Sequence, residues 1–403
     1  MKLDINKLYK PEEWYKTALL LFGFTLPLWR EINVIVMWLL GLSWLLLPWN
    51  EKIKNLKRHR YSLIAIALVY LSYVYLALIN CPQYCNFDQV GQSIGLLLLP
   101  VFILGVNKQR IPYSGIFKAL GAGLFAGMLL SWADVLITIY KRPFPFFHEL
   151  QYFFQWIYTG ENLLRKLHFH PSYYAVLLVL FLSVLLFGQT LQPLKHKHKI
   201  GISLLVALML LFLFETNSRI GIIGFLLLVV INSMKNFKVK NLLWMFMVMG
   251  LVVWASLQFD FLHKKMLQLL QGEERIFRWK AIGELFVKQK NWFWGLGENR
   301  ATDLYLEAYR KGGYHTALKH AYNAHNQYLE LLFKAGILGI STFVYALFHL
   351  ARKTRLKQDT LYFWVLMVLF AGGESFLQRN KGIFIFAFFY SIFVVFYSRN
   401  NSK

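Results

Sequence analysis

The motif His325-Asn326-Gln327-Tyr328-Leu329-Glu330 leads into the apolar run that contains Gly336-Ile337-Leu338-Gly339. It ends a polar stretch, Asp260 to Gly336, which lies between hydrophobic runs too long for an ordinary soluble core. The same stretch holds two arginines beside a tryptophan, in 274–279, and a glycine turn followed by a third arginine, in 295–300. Cations precede the histidine and an apolar span follows it, so we expect the chemistry of this chain here.

The composition indicates a membrane protein. Of 403 residues, 57% are hydrophobic and 18% aromatic, and the mean hydropathy is +0.43, above what a typical soluble domain shows. A secretory signal peptide has one short apolar region before a cleavage site, whereas this chain has several separated apolar runs, so no cleavable leader is expected. Because the runs are too long and too uniformly apolar for alternating barrel strands, we predict an all-α polytopic membrane protein.

The formal net charge of +24 raises nucleic-acid binding as an alternative. A nucleic-acid footprint is a basic face on a folded domain, but here the positive charges lie mostly between apolar spans. The charge pattern therefore argues against nucleic acid as a partner and favours membrane lipids.

Two cysteines, Cys81 and Cys85, lie in a short polar segment. Two ligands alone make a poor structural zinc site. We expect a local disulfide on an oxidising face, with two free thiols as the alternative.

Apolar runs bounded by charge predict about twelve transmembrane helices. They are 14–30, 32–49, 61–79, 88–106, 115–140, 172–188, 202–217, 219–234, 242–259, 329–351, 361–378 and 383–398. The short basic loops, 52–60, 108–110, 195–199, 235–240 and 352–357, all fall on one side of this count. The positive-inside rule assigns that side, with both termini, to the cytoplasm. The chain is thus predicted to be one integral membrane domain, 1–403, with a large outer loop, 260–336, and a smaller one, 141–171.

Arg219 stands between two apolar runs with almost no loop around it. A guanidinium at that depth is costly unless it meets an anion or water. It can snorkel to the outer headgroups or pair with Glu215. Alternatively, it can present a fork of donors to phosphate oxygens, which a guanidinium fits better than an ammonium group.

Arg275 and Arg278 are three residues apart, so on a helix they share a face, with Trp279 and Ile282 placed to pack toward the membrane. Such a charged face is often only solvated. Downstream, Gly295-Leu296-Gly297 predicts a backbone turn before Arg300, but this turn lacks the lysine and the spacing of a nucleotide-binding loop.

His325 directly precedes a helical pattern and therefore sits at a helix start near the membrane interface. It can be a hydrogen-bonded interfacial residue or a base that accepts a hydroxyl proton near neutral pH. His315 and His320 share no helical face with each other, and no HExxH pattern occurs, so no metal site is predicted. Upstream, the segment 167–174 is interpreted as a helix start with a proline in its first turn, and the aromatic residues before it suit an interfacial helix.

Four motifs in one order resemble the O-antigen ligase and polymerase superfamily. They are Ser218-Arg219-Ile220-Gly221, Arg275 to Trp279, Trp294-Gly295-Leu296-Gly297-Glu298-Asn299, and His325-Asn326-Gln327-Tyr328-Leu329 with Gly336-Ile337-Leu338-Gly339. The resemblance covers roughly Glu215 to Gly382, including Glu374 in a late segment, and the first half matches mainly in hydropathy.

The resemblance implies a membrane glycosyltransferase of the GT-C-like class that needs neither metal nor nucleotide cofactor. It would take a glycan from undecaprenyl diphosphate on the periplasmic face of the bacterial inner membrane and, in the ligase branch, pass it to a hydroxyl of lipid A-core. Both outer loops would then be periplasmic. Carried over, Arg219 and Arg275 would hold the diphosphate, with Arg300 assisting and Arg278 able to share that role. His325 would activate the acceptor hydroxyl.

Three alternatives remain open from the sequence. A polymerase would use a second lipid-linked glycan as acceptor, although polymerases often carry two comparable outer loops and this chain has one large one. A transporter or flippase would suit about twelve spans, but it predicts inverted repeats, which are not evident. A non-catalytic membrane scaffold would tolerate loss of the arginines and of His325.

Overall fold

The computed structural model describes residues 10–79, 87–142, 156–191, 198–235 and 274–398. Within these ranges the chain is helical and contains no strand, which confirms the all-α prediction. Cys81 and Cys85, the predicted span 242–259 and the aromatic segment 143–155 lie outside the described residues, as does the start of the large loop, 260–273.

The described part of the chain contains sixteen α-helices. They are α1 (Pro11–Thr25), α2 (Arg30–Leu45), α3 (Trp49–Arg58), α4 (Arg60–Ile79), α5 (Asp88–Ser93), α6 (Gly95–Leu104), α7 (Tyr113–Tyr140), α8 (Pro171–Leu186), α9 (Lys199–Glu215), α10 (Arg219–Lys235), α11 (Glu274–Lys288), α12 (Gly297–Lys311), α13 (His315–Lys319), α14 (Gln327–Thr354), α15 (Gln358–Gly373) and α16 (Asn380–Tyr397). Short 3₁₀ turns occupy Lys108–Arg110, Trp156–Tyr158, Arg165–Leu167 and Phe376–Gln378.

Helices lie at every predicted span within the described residues, although the run 88–106 is divided between α5 and α6. Among those residues, four helices, α4, α7 with its preceding turn, α14 and α16, are long and apolar enough to cross a membrane. A fifth is added if α2 and α3, which meet at 111°, form one broken span. Shorter apolar helices, α8 and α10 among them, accompany these. The chain is therefore a helical membrane protein, and the count of about twelve spans stays a prediction.

Two helices form the centre of the membrane core. Every residue from Lys381 to Val395 in α16 is buried, as is every residue from Pro171 to Leu185 in α8. Because all sides of these segments are buried, both helices pack among other helices rather than against lipid. Among the contacts, α16 packs on α6, and α8 packs on α10 and α15.

The polar loop region has a separate small core. Ile282 and Phe286 of α11 pack with Leu304 and Tyr305 of α12 and with Phe333 of α14. Exposed polar residues such as Lys280, Glu284 and Arg300 face away from this cluster, so both helices are amphipathic. The cluster fixes α11, α12 and α13 above the start of α14.

A kink in α14 fastens this loop region to the membrane helices. Gly336 has left-handed φ of +67° inside the helix, and Gly295 has φ of +80°. A Cβ on Gly336 would lie 2.2 Å from Phe293 O, and one on Gly295 would lie 2.3 Å from Lys334 O. Only glycine allows the two backbones to approach so closely. This approach explains why a glycine turn occurs at 295 and another glycine at 336.

Candidate active site

The loop before α14 is fixed by the polar residues that follow His325. Asn326 caps the helix, because its Oδ1 accepts a hydrogen bond from Leu329 N at 3.1 Å, and its Nδ2 donates to Gly372 O at 3.1 Å. Gln327 Oε1 accepts from Leu377 N at 2.8 Å. These bonds hold the loop against the end of α15 and the turn that follows it.

A buried ion triad supports the same loop from below. Lys334 Nζ lies 2.5 Å from a carboxylate oxygen of Glu298 and 2.5 Å from one of Glu330. Glu330 also accepts from Ala324 N at 2.9 Å and from Gln378 Nε2 at 2.5 Å. A buried lysine needs such compensation, and the triad thereby joins α12, α14 and the residue preceding His325.

The side chain of His325 faces the carboxylate of Glu374. Its backbone has left-handed φ of +46°, and its N–H donates to Asn323 Oδ1 at 3.0 Å. Its Nδ1 lies 3.3 Å from Glu374 Oε2. When Nδ1 carries the proton and donates it to this carboxylate, Nε2 keeps its lone pair free to act as a base.

Glu374 follows the last residue of α15, and only 7% of its side chain is exposed. Burial alone would raise the pKa of this carboxyl, but the hydrogen bond with His325 and the nearby His170 and Arg275 lower it below the usual value. Its Oε1 accepts a hydrogen bond from Ser172 Oγ at 3.1 Å. Glu374 is therefore a buried carboxylate that stays ionised and orients the imidazole.

Arg275 approaches the same carboxylate from α11. Its Nη1 donates to Gly373 O at 2.8 Å, and its Nη2 lies 3.8 Å from Glu374 Oε1. Arg219, half-buried at the first turn of α10, is close enough to Arg275 for the two positive charges to repel each other. Two neighbouring guanidinium groups can present several hydrogen-bond donors to the oxygens of a bound anion.

The motif around Arg219 has a structural explanation. Ser218 caps α10, with its Oγ accepting from Gly221 N at 3.2 Å. Gly221 lies against α8, where an added Cβ would come within 2.5 Å of Ala175 Cβ. Ile220 reaches Gly373 at the end of α15. Arg219 is thus placed at a capped helix N-terminus, whose partial positive charge also favours anions.

His170 lies on the other side of Glu374, at the N-cap of α8. Its Nδ1 accepts from Ser172 N at 3.4 Å, and its Nε2 lies 3.8 Å from Glu161 Oε1. Desolvation lowers the pKa of His170, and the charge of Glu374 opposes this effect. The segment interpreted from sequence as only a helix start therefore supplies two side chains to the site.

Arg278 lies one helical turn from Arg275 and is packed between aromatic rings. Its guanidinium is 5.9 Å from the ring centre of Tyr309 and 5.6 Å from that of Tyr322, and its buried Nε has no hydrogen-bond partner among the described residues. Tyr322 in turn contacts the ring of His325 edge to face at 5.3 Å. The ring of Tyr322 thus contacts both Arg278 and His325 and connects the two side chains.

The expectation that Trp279 and Ile282 pack toward the membrane was wrong. Trp279 Nε1 donates to Ala324 O at 2.5 Å, beside the His325 loop, and Ile282 is fully buried in the small loop core. An apolar stripe packs against the nearest available apolar surface, and here the facing helix α12 provides it.

Arg300 is on an exposed part of α12. Among the described residues, no hydrogen bond or ion pair joins it to the group formed by Arg219, Arg275 and His325. Its part in diphosphate binding stays a prediction. In the same part of the chain, no group of three or more His, Cys, Asp and Glu side chains is arranged to hold a metal ion.

Sequence reasoning missed the role of Glu374 and the contributions of His170 and Ser172. The sequence analysis gave Glu374 no part in glycan transfer, although a carboxylate at the end of an apolar run is itself a signal of function. The contacts of the three residues join segments far apart in the chain, so local spacing does not reveal them.

Residues 204–344 match the O-antigen ligase family Wzy_C, a segment of about a third of the chain that includes Arg219, Arg275 and His325. No curated protein matched the chain. The family covers ligases and polymerases, which are glycosyltransferase-like enzymes with lipid-linked glycans as substrates. The match over residues 204–344 supports the resemblance of the motifs to the O-antigen ligase superfamily.

Proposed function

We propose that this protein is an O-antigen ligase, which transfers a glycan from undecaprenyl diphosphate to a hydroxyl of lipid A-core at the periplasmic face of the bacterial inner membrane. The observation that carries the proposal is the convergence of Arg219 and Arg275, which repel each other, beside an imidazole oriented by Glu374. This arrangement joins an anion site to a base.

The proposed reaction is a direct displacement. His325 Nε2 accepts the proton of the acceptor hydroxyl while the hydroxyl oxygen bonds to the anomeric carbon of the glycan. The bond from that carbon to the diphosphate oxygen breaks, and its electron pair leaves with undecaprenyl diphosphate. Arg219 and Arg275 stabilise the negative charge that develops on this leaving group. One displacement inverts the anomeric centre, so NMR of the product would contradict the scheme if the donor configuration were retained.

Glu374 is a positioning residue in this scheme. It holds the proton on Nδ1 of His325 and favours the imidazolium that forms during transfer. Arg278 and Arg300 are proposed as secondary contributors to diphosphate binding. Arg278 has the closer connection to the site, through Tyr322.

The alternative is a polymerase that uses a second lipid-linked glycan as acceptor. The same base and arginines would serve both reactions, so the two differ only in the acceptor. The deciding experiment incubates purified protein with lipid-linked glycan and either lipid A-core or a second lipid-linked glycan. Transfer of the glycan to lipid A-core supports the ligase assignment. Elongation of the lipid-linked glycan without transfer to lipid A-core would rule the ligase assignment out.

Variants separate catalysis from transport and from a scaffold role. His325→Ala, Arg219→Ala and Arg275→Ala are expected to abolish or strongly reduce glycan transfer and to leave lipid flipping unchanged. Arg310→Ala, which removes an exposed cation at the end of α12, is the control and should keep full transfer. Loss of flipping in the His325 variant would favour a transporter, and full transfer in all three would favour a scaffold.

A further inference from the structure

A second charged site lies at the other end of α14. The helix begins beside His325 and ends at Thr354, 28 residues later, which corresponds to about 40 Å of helix. An open cavity of about 610 Å³ lies at that end, bounded by the ends of α4, α14 and α16. This cavity, called the basic cleft below, is well separated from the candidate active site.

The lining of the basic cleft is strongly cationic. Arg352, Lys353, Arg355 and Lys357 contribute four positive charges, and none of the described residues that line it carries a carboxylate. The nearby Asp359 is buried and accepts hydrogen bonds from Tyr113 at 2.9 Å and from other hydroxyls behind the cleft. The C-terminus of α14 offers only about half a negative charge. Among the described residues that line the cleft, no carboxylate balances these four positive charges.

The walls of the basic cleft are partly aromatic and well fixed. Tyr61 from α4 and Tyr345 from α14 line it. His349 Nε2 and Ser62 Oγ are hydrogen-bonded at 2.9 Å, which ties these two helices together beside the cleft. The cations lie around the mouth of an open cavity between packed helices, and Arg352, Arg355 and Lys357 are exposed there.

An exposed apolar surface continues from the basic cleft along the same two helices. On α14, Tyr345, Phe348 and Arg352 follow at helical spacing, and Phe348 is 59% exposed. On α4, Tyr61 and Ile64 lie on one face and are 59% and 49% exposed. In a membrane helix such side chains contact acyl chains. The apolar surface and the cation cluster form one continuous amphipathic site.

We propose that the basic cleft binds a phospholipid with an anionic headgroup, in the leaflet opposite the active site. The phosphate contacts the arginines and lysines, and the acyl chains lie over Phe348 and Ile64. Guanidinium and ammonium groups between transmembrane helices recognise lipid phosphates in this way. The site is separate from glycan transfer and does not depend on the proposed reaction.

The test is native mass spectrometry of the purified full chain with phosphatidylglycerol or phosphatidylcholine of the same acyl chains. Wild type is expected to retain phosphatidylglycerol preferentially. Arg352→Gln with Arg355→Gln should weaken this retention about 30-fold, from about 1 kcal/mol per basic residue. Equal retention of the two lipids by wild type, or unchanged retention in the double variant, would overturn the proposal.

Matched variants keep the result specific. Lys54→Gln with Lys57→Gln removes the same charge from exposed positions on α3 outside the basic cleft and should retain the lipid normally. Phe348→Asn should weaken retention without a change in charge, as an acyl contact requires. If soluble glycerol phosphate displaces the lipid at an equal concentration, the ligand is a small anion and the lipid assignment fails. Thermal unfolding of each variant shows whether a loss of lipid retention comes from unfolding of the protein.

Discussion

Glu374→Gln tests whether the carboxylate positions the base. The substitution keeps the shape of the side chain and an oxygen that can accept from Ser172, but it removes the charge facing His325. A hydrogen bond to a charged group contributes about 1.5–3 kcal/mol. Because the distance here is 3.3 Å, longer than a strong charge-assisted bond, we expect the lower end of that range, or about 10–30-fold in kcat.

The assay is transfer by purified protein from lipid-linked glycan to acceptor, measured over a range of pH and donor concentration. The kcat should fall because the imidazole loses the carboxylate that orients it. The KM for the donor should change less than kcat, since Arg219 and Arg275 remain. Loss of fold alone would lower the amount of active protein and leave the kcat of the folded fraction unchanged.

Glu161→Gln is the matched control, because it removes a carboxylate that faces His170 at 3.8 Å and is 82% exposed. Solvent screens such a group, so its loss should alter kcat by less than twofold or threefold. The positioning role of Glu374 is refuted if Glu374→Gln retains the wild-type kcat, or if both variants lose activity equally.

Three further predictions concern stability, each measured by thermal unfolding in detergent. Gly336→Ala should destabilise the protein by about 1–3 kcal/mol or more, because it strains a left-handed residue against a neighbouring backbone. The control Gly283→Ala, in a helix with open space around it, should be neutral or stabilising. A neutral Gly336→Ala would contradict the strained kink. Lys334→Met should lower the free energy of unfolding by about 3–5 kcal/mol, since it leaves buried carboxylates unpaired. A melting temperature equal to that of wild type would contradict a stabilising role for the triad. Because the pKa of Glu374 is lowered in the folded protein, wild type should be more stable than Glu374→Gln above about pH 4.3. This difference in stability should disappear as the pH falls through the native pKa of Glu374. A stability difference that does not depend on pH would contradict the lowered pKa.

Much of the helical framework follows from the sequence alone. Uniform apolar runs predicted helices at the right places because length and burial determine them locally. The order of the motifs predicted that Arg219, Arg275 and His325 belong together. In the structure His325 and Arg275 both lie beside Glu374, and the roles of the three residues stay predictions. Local spacing could not predict that Trp279 would turn inward, because its direction depends on the surface that α12 offers. The pairing of Glu374 with His325 likewise joins side chains from different helices, which no periodic pattern encodes.

The kink at Gly336 has a consequence for the design of chimeras. The break in α14 frees backbone groups, and the segment after α11 satisfies them: Ile337 N donates to Trp292 O at 3.0 Å, and Leu296 N donates to Phe333 O at 2.9 Å. An exchange of the outer loop between relatives that stopped before α14 would leave these partners mismatched near the bilayer, where an unpaired peptide group is costly. The transplantable unit therefore extends through residue 337, so that the graft carries its own half of the helix.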